Sequence, residues 1–427
     1  MKKFLLILAR RYPYDFGEPF LESEIEKHQQ YYDRILVLSQ DVGTKSKQTR
    51  IPPEGIEFAA TVTADRKKLR RKDVLNAPGM MLKPDEAVLN ELKQKKIGIL
   101  QRGFLCYFES RCLRLLDEAK TILKEIDVNQ YDQITLYSYW LFANANVGIY
   151  LKEYLIKERK FKGKIELFSR AHRYDIYEEE NKINYLPFRT RLLDGMDYVF
   201  PCSRDGAEYL KKAYPQYSSK IQTEYLGTRD YGISEVRGET GTFHIVSCSR
   251  VVKVKGLERL IDDLAMLPRN QNVKWTHIGG GVDGKTDYFE KIQQYARERL
   301  QNIAFEFKGS LSNPEVYEYY KHNAVDVFVN CSYSEGLPVS LMEAISFGIP
   351  IIATDVGGSR EIIEEGRNGF LLPKDFERGL LTQKLEIMMN ETAEEKAERR
   401  IDARELWESH YSAEKNYRNF AEMVSKL

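Results

Sequence analysis

Two glutamates at one strand-to-helix junction are the residues of this chain best suited to carry chemistry. Glu335 lies in the loop CSYSEG after the strand-like run VDVFVN, and Glu343 follows eight positions later inside a predicted helix. Carboxylates placed there can accept hydrogen bonds from sugar and ribose hydroxyls. The pattern leaves open a second interpretation, in which Glu343 is a solvated helix position and Glu335 only complements the helix dipole.

The start of the same helix predicts an anion site. Pro338 suits the first turn of a helix, where a missing N–H costs nothing. The N–H groups of Leu337 and Val339 are then free to face an anion, and the helix dipole favours a negative charge there. We therefore expect a phosphate site that uses no metal ion.

Two cations on an earlier loop could serve the same anion. The segment SRVVKVKG (249–256) follows a predicted strand and precedes a helix, so Arg250 and Lys255 leave the sheet at its carboxyl end. Fixed cations there can neutralise a nucleotide diphosphate leaving group as a glycosidic bond breaks. Taken alone, a pair of residues like this is usually a pair of solvated loop cations.

The elements that must position these residues alternate between apolar strand-like runs and helical patterns along the whole chain. This alternation predicts parallel sheets covered by helices on both faces. A polar, glycine-rich stretch at 228–241 is the best linker candidate. We expect an N-terminal Rossmann-like domain at 1–230, a second at 241–400, a cleft between them, and a bracing C-terminal helix at 401–427.

The motif composite resembles one known family. EGLPVSLMEA, a GIP strand start, VGG, Glu361 and NGFLL together resemble the retaining GT-B glycosyltransferases, in particular the GT4 family, glycosyl transferases group 1. The match is close over 242–375 and holds only in outline in the first half. It implies an α/β GT-B fold, with two doubly wound domains facing across a cleft that bind the acceptor and the nucleotide sugar respectively.

The resemblance also implies roles for individual residues. Glu335 would bind the donor sugar, Glu343 the ribose, and Arg250 and Lys255 the diphosphate. His172, just past a strand end, would bond the donor sugar from the other domain, although a lone histidine there is usually structural. Further donor-binding positions are Gly336, Leu337, Val339, Gly280 and Gly17.

Two details near the first domain's strand ends bear on the acceptor. The family commonly has two adjacent glycines after the first strand, whereas this chain has only Gly17, preceded by Phe16. Arg170, Arg173 and Asp175 flank His172 and are expected to bind acceptor or to help close the cleft.

The resemblance implies that the protein transfers a hexosyl unit, with retention of configuration, from a nucleoside diphosphate sugar, with UDP as the nucleotide. The implied acceptor is a saccharide or a lipid-linked acceptor in cell-surface polysaccharide synthesis. A non-catalytic nucleotide-sugar-binding partner of a transferase complex is the alternative. A nucleotide-sugar epimerase of the same architecture fits the motif set less well.

Composition restricts the partners and cofactors. Lys and Arg (65) nearly balance Asp and Glu (64), so nucleic acid is not an expected partner. No Asp-x-Asp occurs and the five cysteines have no zinc spacing, so no metal or other cofactor is expected.

Location follows from apolar runs and charge. The run at 4–9 is too short for a membrane span and predicts a buried first strand, hence a cytoplasmic protein. Residues 66–114 carry thirteen Lys or Arg against five Asp or Glu, with apolar residues interleaved. This segment is either a solvated helical excursion or a surface for peripheral contact with anionic lipid at the inner face of the membrane.

Overall fold

The computed structural model describes residues 1–15, 17–234, 241–269, 271–281 and 287–427. The chain divides into two compact units: unit 1 is Met1–Leu226 with Glu414–Leu427, and unit 2 is Gly227–Ala413. Each unit contains one six-stranded sheet. The predicted α/β fold with two doubly wound sheets is therefore confirmed.

Unit 1 is built on a parallel sheet with the order β3-β2-β1-β4-β5-β6. Leu6 of the central strand lies opposite Leu36 on one side and Leu136 on the other. The strands are β1 (Lys3–Ala9), β2 (Arg34–Ser39), β3 (Glu57–Ala59), β4 (Gln133–Ser138), β5 (Lys164–Ala171) and β6 (Tyr198–Pro201). The helices are α1 (Leu21–Ile25), α2 (Arg66–Leu82), α3 (Glu86–Gln94), α4 (Ile99–Lys124), α5 (Ala143–Lys157), α6 (Arg173–Ile176), α7 (Arg189–Gly195) and α8 (Arg204–Ala213).

Unit 2 repeats the same topology. Its sheet has the order β12-β11-β10-β7-β8-β9 and is also parallel. The strands are β7 (Phe243–Cys248), β8 (Val273–Ile278), β9 (Ala304–Gly309), β10 (Val327–Asn330), β11 (Ile351–Thr354) and β12 (Gly369–Leu372). The helices are α9 (Leu257–Leu264), α10 (Asp287–Arg299), α11 (Asn313–His322), α12 (Val339–Ser346), α13 (Ser359–Ile362), α14 (Leu380–Met389) and α15 (Ala393–His410).

The central strands explain why the sheets are parallel. Residues Phe4 to Ala9 of β1 are all buried, as are all four residues of β10. A strand that is apolar on both faces needs helices above and below it, which right-handed crossovers supply. In this arrangement every strand of a sheet delivers its following loop to the same edge, where ligands of such folds bind.

The prediction of a single helix at the C-terminal end of the chain is wrong. Helix α15 ends at His410, and a separate helix α16 (Ala413–Ser425) follows. Trp407 of α15 donates to the Thr228 hydroxyl at 2.7 Å within unit 2, whereas Phe420 of α16 lies in the core of unit 1. The chain breaks at Tyr411–Ser412 because its two ends pack against different units.

Two other predicted segments take definite form. The loosely patterned stretch at 66–114 contains helices α2 and α3 and the first part of α4. Thr228 pairs with Ser412 at the start of the predicted linker, and residues 235–240 of that linker lie outside the described residues. Among the described helices, none is both long and apolar enough to cross a membrane.

Replacement of Phe420 by Ala tests the packing of α16. The ring contacts Phe168 and Phe200 in edge geometry, and the Arg170 guanidinium lies 4.0 Å above its centroid. Deleting such a buried ring should lower the free energy of unfolding by about 3–5 kcal/mol. Chemical denaturation measures the loss, and exposed Asn419→Ala on the same helix is the control. An equal, small effect of both variants would contradict this packing.

Candidate functional site

Two loops at the carboxyl edge of the second sheet are held together by backbone contacts. The loop after β7 meets the loop after β10 where the Tyr333 N–H donates to the Val254 carbonyl at 2.8 Å. Gly256 has φ = +63°, and a Cβ there would overlap the Cys331 carbonyl oxygen. Only glycine readily adopts this positive φ and has no side chain to clash with the carbonyl. The close approach of the two loops therefore explains why a glycine follows Lys255.

The same contact brings together two predicted site residues. Lys255 Nζ donates to Glu335 Oε1 at 2.6 Å, and Asn330 Nδ2 lies 3.3 Å from the same oxygen. The Glu335 side chain is 8% exposed and that of Lys255 20%. A carboxylate this buried requires a compensating partner, which Lys255 supplies. The remaining ammonium donors can serve an anion and the second carboxylate oxygen a hydroxyl.

Arg259 is a supporting residue that sequence reasoning missed. Its guanidinium donates to the carbonyls of Cys331 and Ser332. It also lies over the Tyr333 ring, at 4.0 Å from the centroid. Arg259 therefore fixes the loop that carries Glu335. Its position one turn after Lys255, at the start of the helix, was the available signal.

A third loop, after β11, completes this edge. The Gly358 N–H donates to the Gly336 carbonyl at 2.7 Å, and a Cβ on Gly357 would overlap the Glu335 carbonyl oxygen. The VGG motif therefore allows the close approach of the two loops. Gly336, predicted to bind donor, has at least this backbone role.

Arg250 lies on the loop after β7 but is not part of the ion pair. It is exposed, and among the described residues no carboxylate lies within 4 Å of its guanidinium. The next residue, Val251, donates its N–H to the Gly280 carbonyl at 2.8 Å. A Cβ on Gly280 would come within 2.6 Å of Ser310 Oγ. Arg250 and Gly280 thus belong to connected loops.

The helix start has the arrangement expected of an anion site. Pro338 is the N-cap of α12, and its carbonyl accepts the Leu341 N–H at 3.1 Å. Within the described ranges, the N–H groups of Leu337 and Val339 have no acceptor from the chain. They can therefore donate to an anionic group.

Glu343 has a separate environment. It is 6% exposed and accepts hydrogen bonds from Asn313 Nδ2 and the Tyr317 hydroxyl, both at 3.0 Å, from helix α11. The interpretation of Glu343 as a solvated position is wrong. Burial, opposed only by the hydrogen bond from Tyr317, raises the pKa of Glu343 to about 7. Sequence reasoning missed Asn313 and Tyr317.

His172 belongs to unit 1 and is held between aromatic rings. Its ring centroid lies 5.0 Å from that of Tyr139 and 4.6 Å from that of Trp140. Nε2 lies 3.1 Å from the Tyr139 carbonyl oxygen, so Nε2 carries the proton and Nδ1 is an acceptor. Burial and then the charge of Arg170 lower the pKa of His172 to about 4. The ring is therefore neutral near pH 7.

Two neighbours of His172, Arg170 and Asp175, are buried and structural, contrary to expectation, whereas a ligand contact of Arg173 stays a prediction. Arg170 is completely buried, pairs with Glu24 at 2.9 Å and cannot reach a ligand. Asp175 is buried and accepts the N–H groups of His172 and Leu141 at 2.5 and 2.7 Å. Arg173 donates to Glu180 at 2.6 Å.

Gly17 lies beside a carboxylate that fills the loop after β1. A Cβ on Gly17 would lie 2.6 Å from Arg11 Cβ, so the glycine is needed for packing. Buried Glu18 accepts the N–H groups of Arg10, Arg11 and Tyr12 at 2.7, 3.0 and 2.8 Å, and Trp140 Nε1 at 3.0 Å. The backbone donors of this loop are thus used internally. Contact between Gly17 and a substrate remains a prediction.

Comparison with known proteins bears on the second unit most directly. Residues 234–407 match the family model described as glycosyl transferases group 1. The chain is similar to the UDP-N-acetylglucosamine–peptide N-acetylglucosaminyltransferase GtfA subunit of Streptococcus pneumoniae serotype 4, with 27% identity over 44% of this chain and 37% of that protein. It is also similar to the putative colanic acid biosynthesis glycosyltransferase WcaL of Escherichia coli K12, with 26% identity over 60% and 63% of the two chains.

A solved structure agrees over the whole length. Anabaena HepE, crystallised in complex with UDP and glucose, has a TM-score of 0.63 and 19% identity, with 100% of both chains covered. At this identity the likeness concerns the fold. The matched region spans about a third of the length of the GtfA relatives from S. pneumoniae and Streptococcus gordonii.

Replacement of Glu343 by Gln tests the environment of this carboxyl. The folded protein holds a proton on Glu343 up to about pH 7, whereas the unfolded chain releases it near 4.5. The stabilisation by this proton is complete below pH 4.5 and is lost as the pH rises through 7. Glu343→Gln should thus be about 1–3 kcal/mol more stable than wild type at pH 8, with a much smaller difference at pH 4.5.

Urea unfolding at the two pH values measures this difference. Exposed Glu290→Gln on helix α10 is the matched control and should show no such increase. A Glu343→Gln variant that is less stable than wild type at pH 8 would contradict the assigned environment.

Proposed function

We propose that the protein is a retaining hexosyltransferase, because residues 234–407 match the family model described as glycosyl transferases group 1. Its donor is a nucleoside diphosphate sugar, with UDP as the nucleotide, and its acceptor is a saccharide or lipid-linked saccharide of cell-surface polysaccharide synthesis. The observation that carries the proposal is the Lys255–Glu335 pair, a buried carboxylate beside a cation at the carboxyl edge of the second sheet. HepE, solved with UDP and glucose, and WcaL, named for colanic acid biosynthesis, support the donor and the pathway.

The reaction exchanges one bond at the anomeric carbon for another on the same face. The bond from this carbon to the diphosphate oxygen breaks, and a bond to an acceptor hydroxyl oxygen forms. The hydroxyl proton passes to the departing diphosphate. Lys255, Arg250 and the N–H groups of Leu337 and Val339 compensate the negative charge of the leaving group, so that no metal ion is used.

The two carboxylates have different tasks in this proposal. Glu335, with one oxygen held by Lys255, accepts hydrogen bonds from the sugar hydroxyls. Glu343 accepts a ribose hydroxyl in exchange for, or beside, its bonds from Asn313 and Tyr317. His172, neutral near pH 7, offers Nδ1 to a sugar hydroxyl.

Replacement of Lys255 or Glu335 by Ala tests the proposed chemistry. Lys255→Ala removes charge stabilisation of the leaving group, and Glu335→Ala removes positioning of the sugar. Either change should lower kcat/KM for transfer by about 100-fold or more. Transfer is measured with a panel of labelled nucleotide sugars and oligosaccharide acceptors. Lys253→Ala, an exposed lysine of the same turn, is the matched control and should stay within about threefold of wild type.

Two outcomes would contradict the proposal in different ways. Near-normal transfer by both alanine variants would remove Lys255 and Glu335 from the chemistry. Donor binding by the wild type with neither transfer nor slow donor hydrolysis would instead favour a non-catalytic partner of a transferase complex.

We also propose that helices α2–α4 contact an anionic membrane surface. Four apolar side chains there are largely exposed: Leu75 by 78%, Leu82 by 86%, Ile99 by 71% and Leu100 by 74%. Exposed lysines, Lys83 and Lys96, are close to them in sequence. Apolar side chains rimmed by cations are typical of surfaces that sit at anionic headgroups.

The double variant Leu82→Ser/Leu100→Ser tests this surface. Each leucine that enters the headgroup region contributes about 1.5–3 kcal/mol, so losing both should weaken vesicle binding by more than about tenfold. Sedimentation at low salt with vesicles of phosphatidylcholine and phosphatidylglycerol measures binding. Ile387→Ser, which removes an exposed apolar side chain from unit 2, is the control. Absence of wild-type pelleting at every lipid composition would overturn the proposal.

A further inference from the structure

Five arginines meet at the carboxyl ends of β1 and β2 in unit 1. Two follow β1 directly, two lie one turn apart at the start of α2, and one lies on α4. The arginine cluster consists of Arg10, Arg11, Arg66, Arg70 and Arg111. It lies at the edge of the sheet where ligands of doubly wound folds bind.

One buried carboxylate holds most of the cluster together. Asp41, which follows β2, is 6% exposed and lies 3.3 Å from Arg10, 3.8 Å from Arg11, 3.1 Å from Arg70 and 3.7 Å from Arg111. Burial opposes the charged form of Asp41, but the neighbouring guanidinium charges prevail and lower its pKa. One carboxylate thus serves four guanidinium groups.

The described residues supply few ion-pair partners to the cluster. The second carboxylate, Asp15, pairs with Arg66 at 2.8 Å. Among the described residues, the five guanidinium groups thus form ion pairs with only these two carboxylates. Burial, followed by the repulsion of Arg10 and Arg66, lowers the pKa of Arg11. Like charges held this close are unfavourable unless an anion joins them.

Hydrogen-bond donors of the cluster are also unused. Among the described residues, the buried Nε atoms of Arg11, Arg66, Arg70 and Arg111 have no acceptor. A buried donor without an acceptor costs about 1–3 kcal/mol, more when it is charged. Four such atoms in one place indicate that the cluster is adapted to a group that the chain does not provide.

Nearby ion pairs show what a satisfied arginine looks like in this unit. Arg114 donates from two nitrogens to Asp73, each at 2.8 Å, and from a third to Glu118 at 2.9 Å. Asp73 and Glu118 thus pair with Arg114 and not with a member of the arginine cluster. Glu18 is likewise occupied by three backbone N–H groups and Trp140. None of these three described carboxylates is an ion-pair partner of the arginine cluster.

We propose that the arginine cluster binds a phosphate group carried by the acceptor, so that the substrate is a phosphorylated saccharide or a lipid-linked sugar phosphate. This inference rests on the proposed transferase function and adds the chemical class of its acceptor. A phosphate dianion has three oxygens that can each accept from a guanidinium, which suits donors that arrive from β1, α2 and α4. A carboxylate or a neutral sugar would satisfy fewer of them.

Binding of inorganic phosphate to the full chain tests the site without any transfer reaction. Titration calorimetry should detect phosphate binding to the wild type that weakens with added salt. Arg70→Gln/Arg111→Gln should lower the affinity by about tenfold for each arginine. Arg71→Gln, the exposed neighbour on α2, is the matched control and should bind as wild type does.

Two further variants separate binding from folding and from the donor site. If Arg70→Gln/Arg111→Gln unfolds, Arg10→Gln replaces it, since that side chain is the most exposed of the five at 43%. Asp41→Asn removes the competing carboxylate and should strengthen phosphate binding, an effect that a purely structural ion-pair network would not give. Lys255→Ala alters the donor site of unit 2 and should leave the part of the phosphate binding that depends on Arg70 and Arg111 intact.

Three outcomes would overturn the proposal. These are equal phosphate affinity of the wild type and the arginine variants, loss of phosphate binding in Lys255→Ala alone, and weaker phosphate binding by Asp41→Asn. Phosphate binding as expected, together with no transfer from any nucleotide sugar, would reject the proposed function while retaining the site.

The source of the phosphate is resolved by two ligands. The wild type and Arg70→Gln/Arg111→Gln are titrated with N-acetylglucosamine 1-phosphate in solution and with polyprenyl phosphate in phosphatidylcholine vesicles. Arginine-dependent binding of the first supports a soluble acceptor, and of the second a lipid-linked one. If neither ligand shows binding that depends on the arginines, the proposal is contradicted.

Discussion

The close approach of the loops after β7 and β10 is the constraint on which the site of unit 2 depends. Gly256 has no room for a side chain against the Cys331 carbonyl, and Arg259 binds that same carbonyl. Because backbone contacts fix the two loops to each other, only the side chains of Lys255 and Glu335 remain to be ordered when the ion pair forms, which lowers its entropy cost. The ion pair is therefore a consequence of the loop packing. A charge that reorganises little can stabilise a developing negative charge more effectively than a mobile one.

The same motif places its two carboxylates in unlike surroundings. Glu335 faces a cation, whereas Glu343 receives hydrogen bonds only from the neutral groups of Asn313 and Tyr317. Desolvation is therefore offset by charge at the first position and by proton uptake at the second. One spacing in the sequence thus yields one carboxylate paired with a lysine and one whose pKa is raised to about 7 by burial. Although both residues are glutamates, their surroundings give them different properties.

The part of this site that sequence could predict is the part that sheet topology controls. Loops after parallel strands share one edge, so Lys255 and Glu335 were expected near one another, and they are. The partners of Glu343 come from the preceding helix, at spacings with no local signature. Arg170 was misjudged because a strand buried on both faces gives no alternation to tell core from edge. The break at Tyr411 was hidden because apolar residues continue across it.

At the end of the first strand of unit 1, the groups available to bind an anion differ from those at the start of helix α12 in unit 2. In a glycine-rich loop the backbone N–H groups after the first strand could cradle a phosphate, but here Glu18 occupies those of Arg10, Arg11 and Tyr12. These backbone donors are thereby bound to the chain's own carboxylate. The side chains of Arg10 and Arg11 lie 3.3 and 3.8 Å from Asp41, within the arginine cluster. Recognition of an anion is thus transferred from backbone donors to guanidinium groups, which reach farther and carry full charge. At this edge the unused donors of the arginine cluster, and not the backbone N–H groups of the loop, are therefore the groups that can bind the proposed acceptor phosphate.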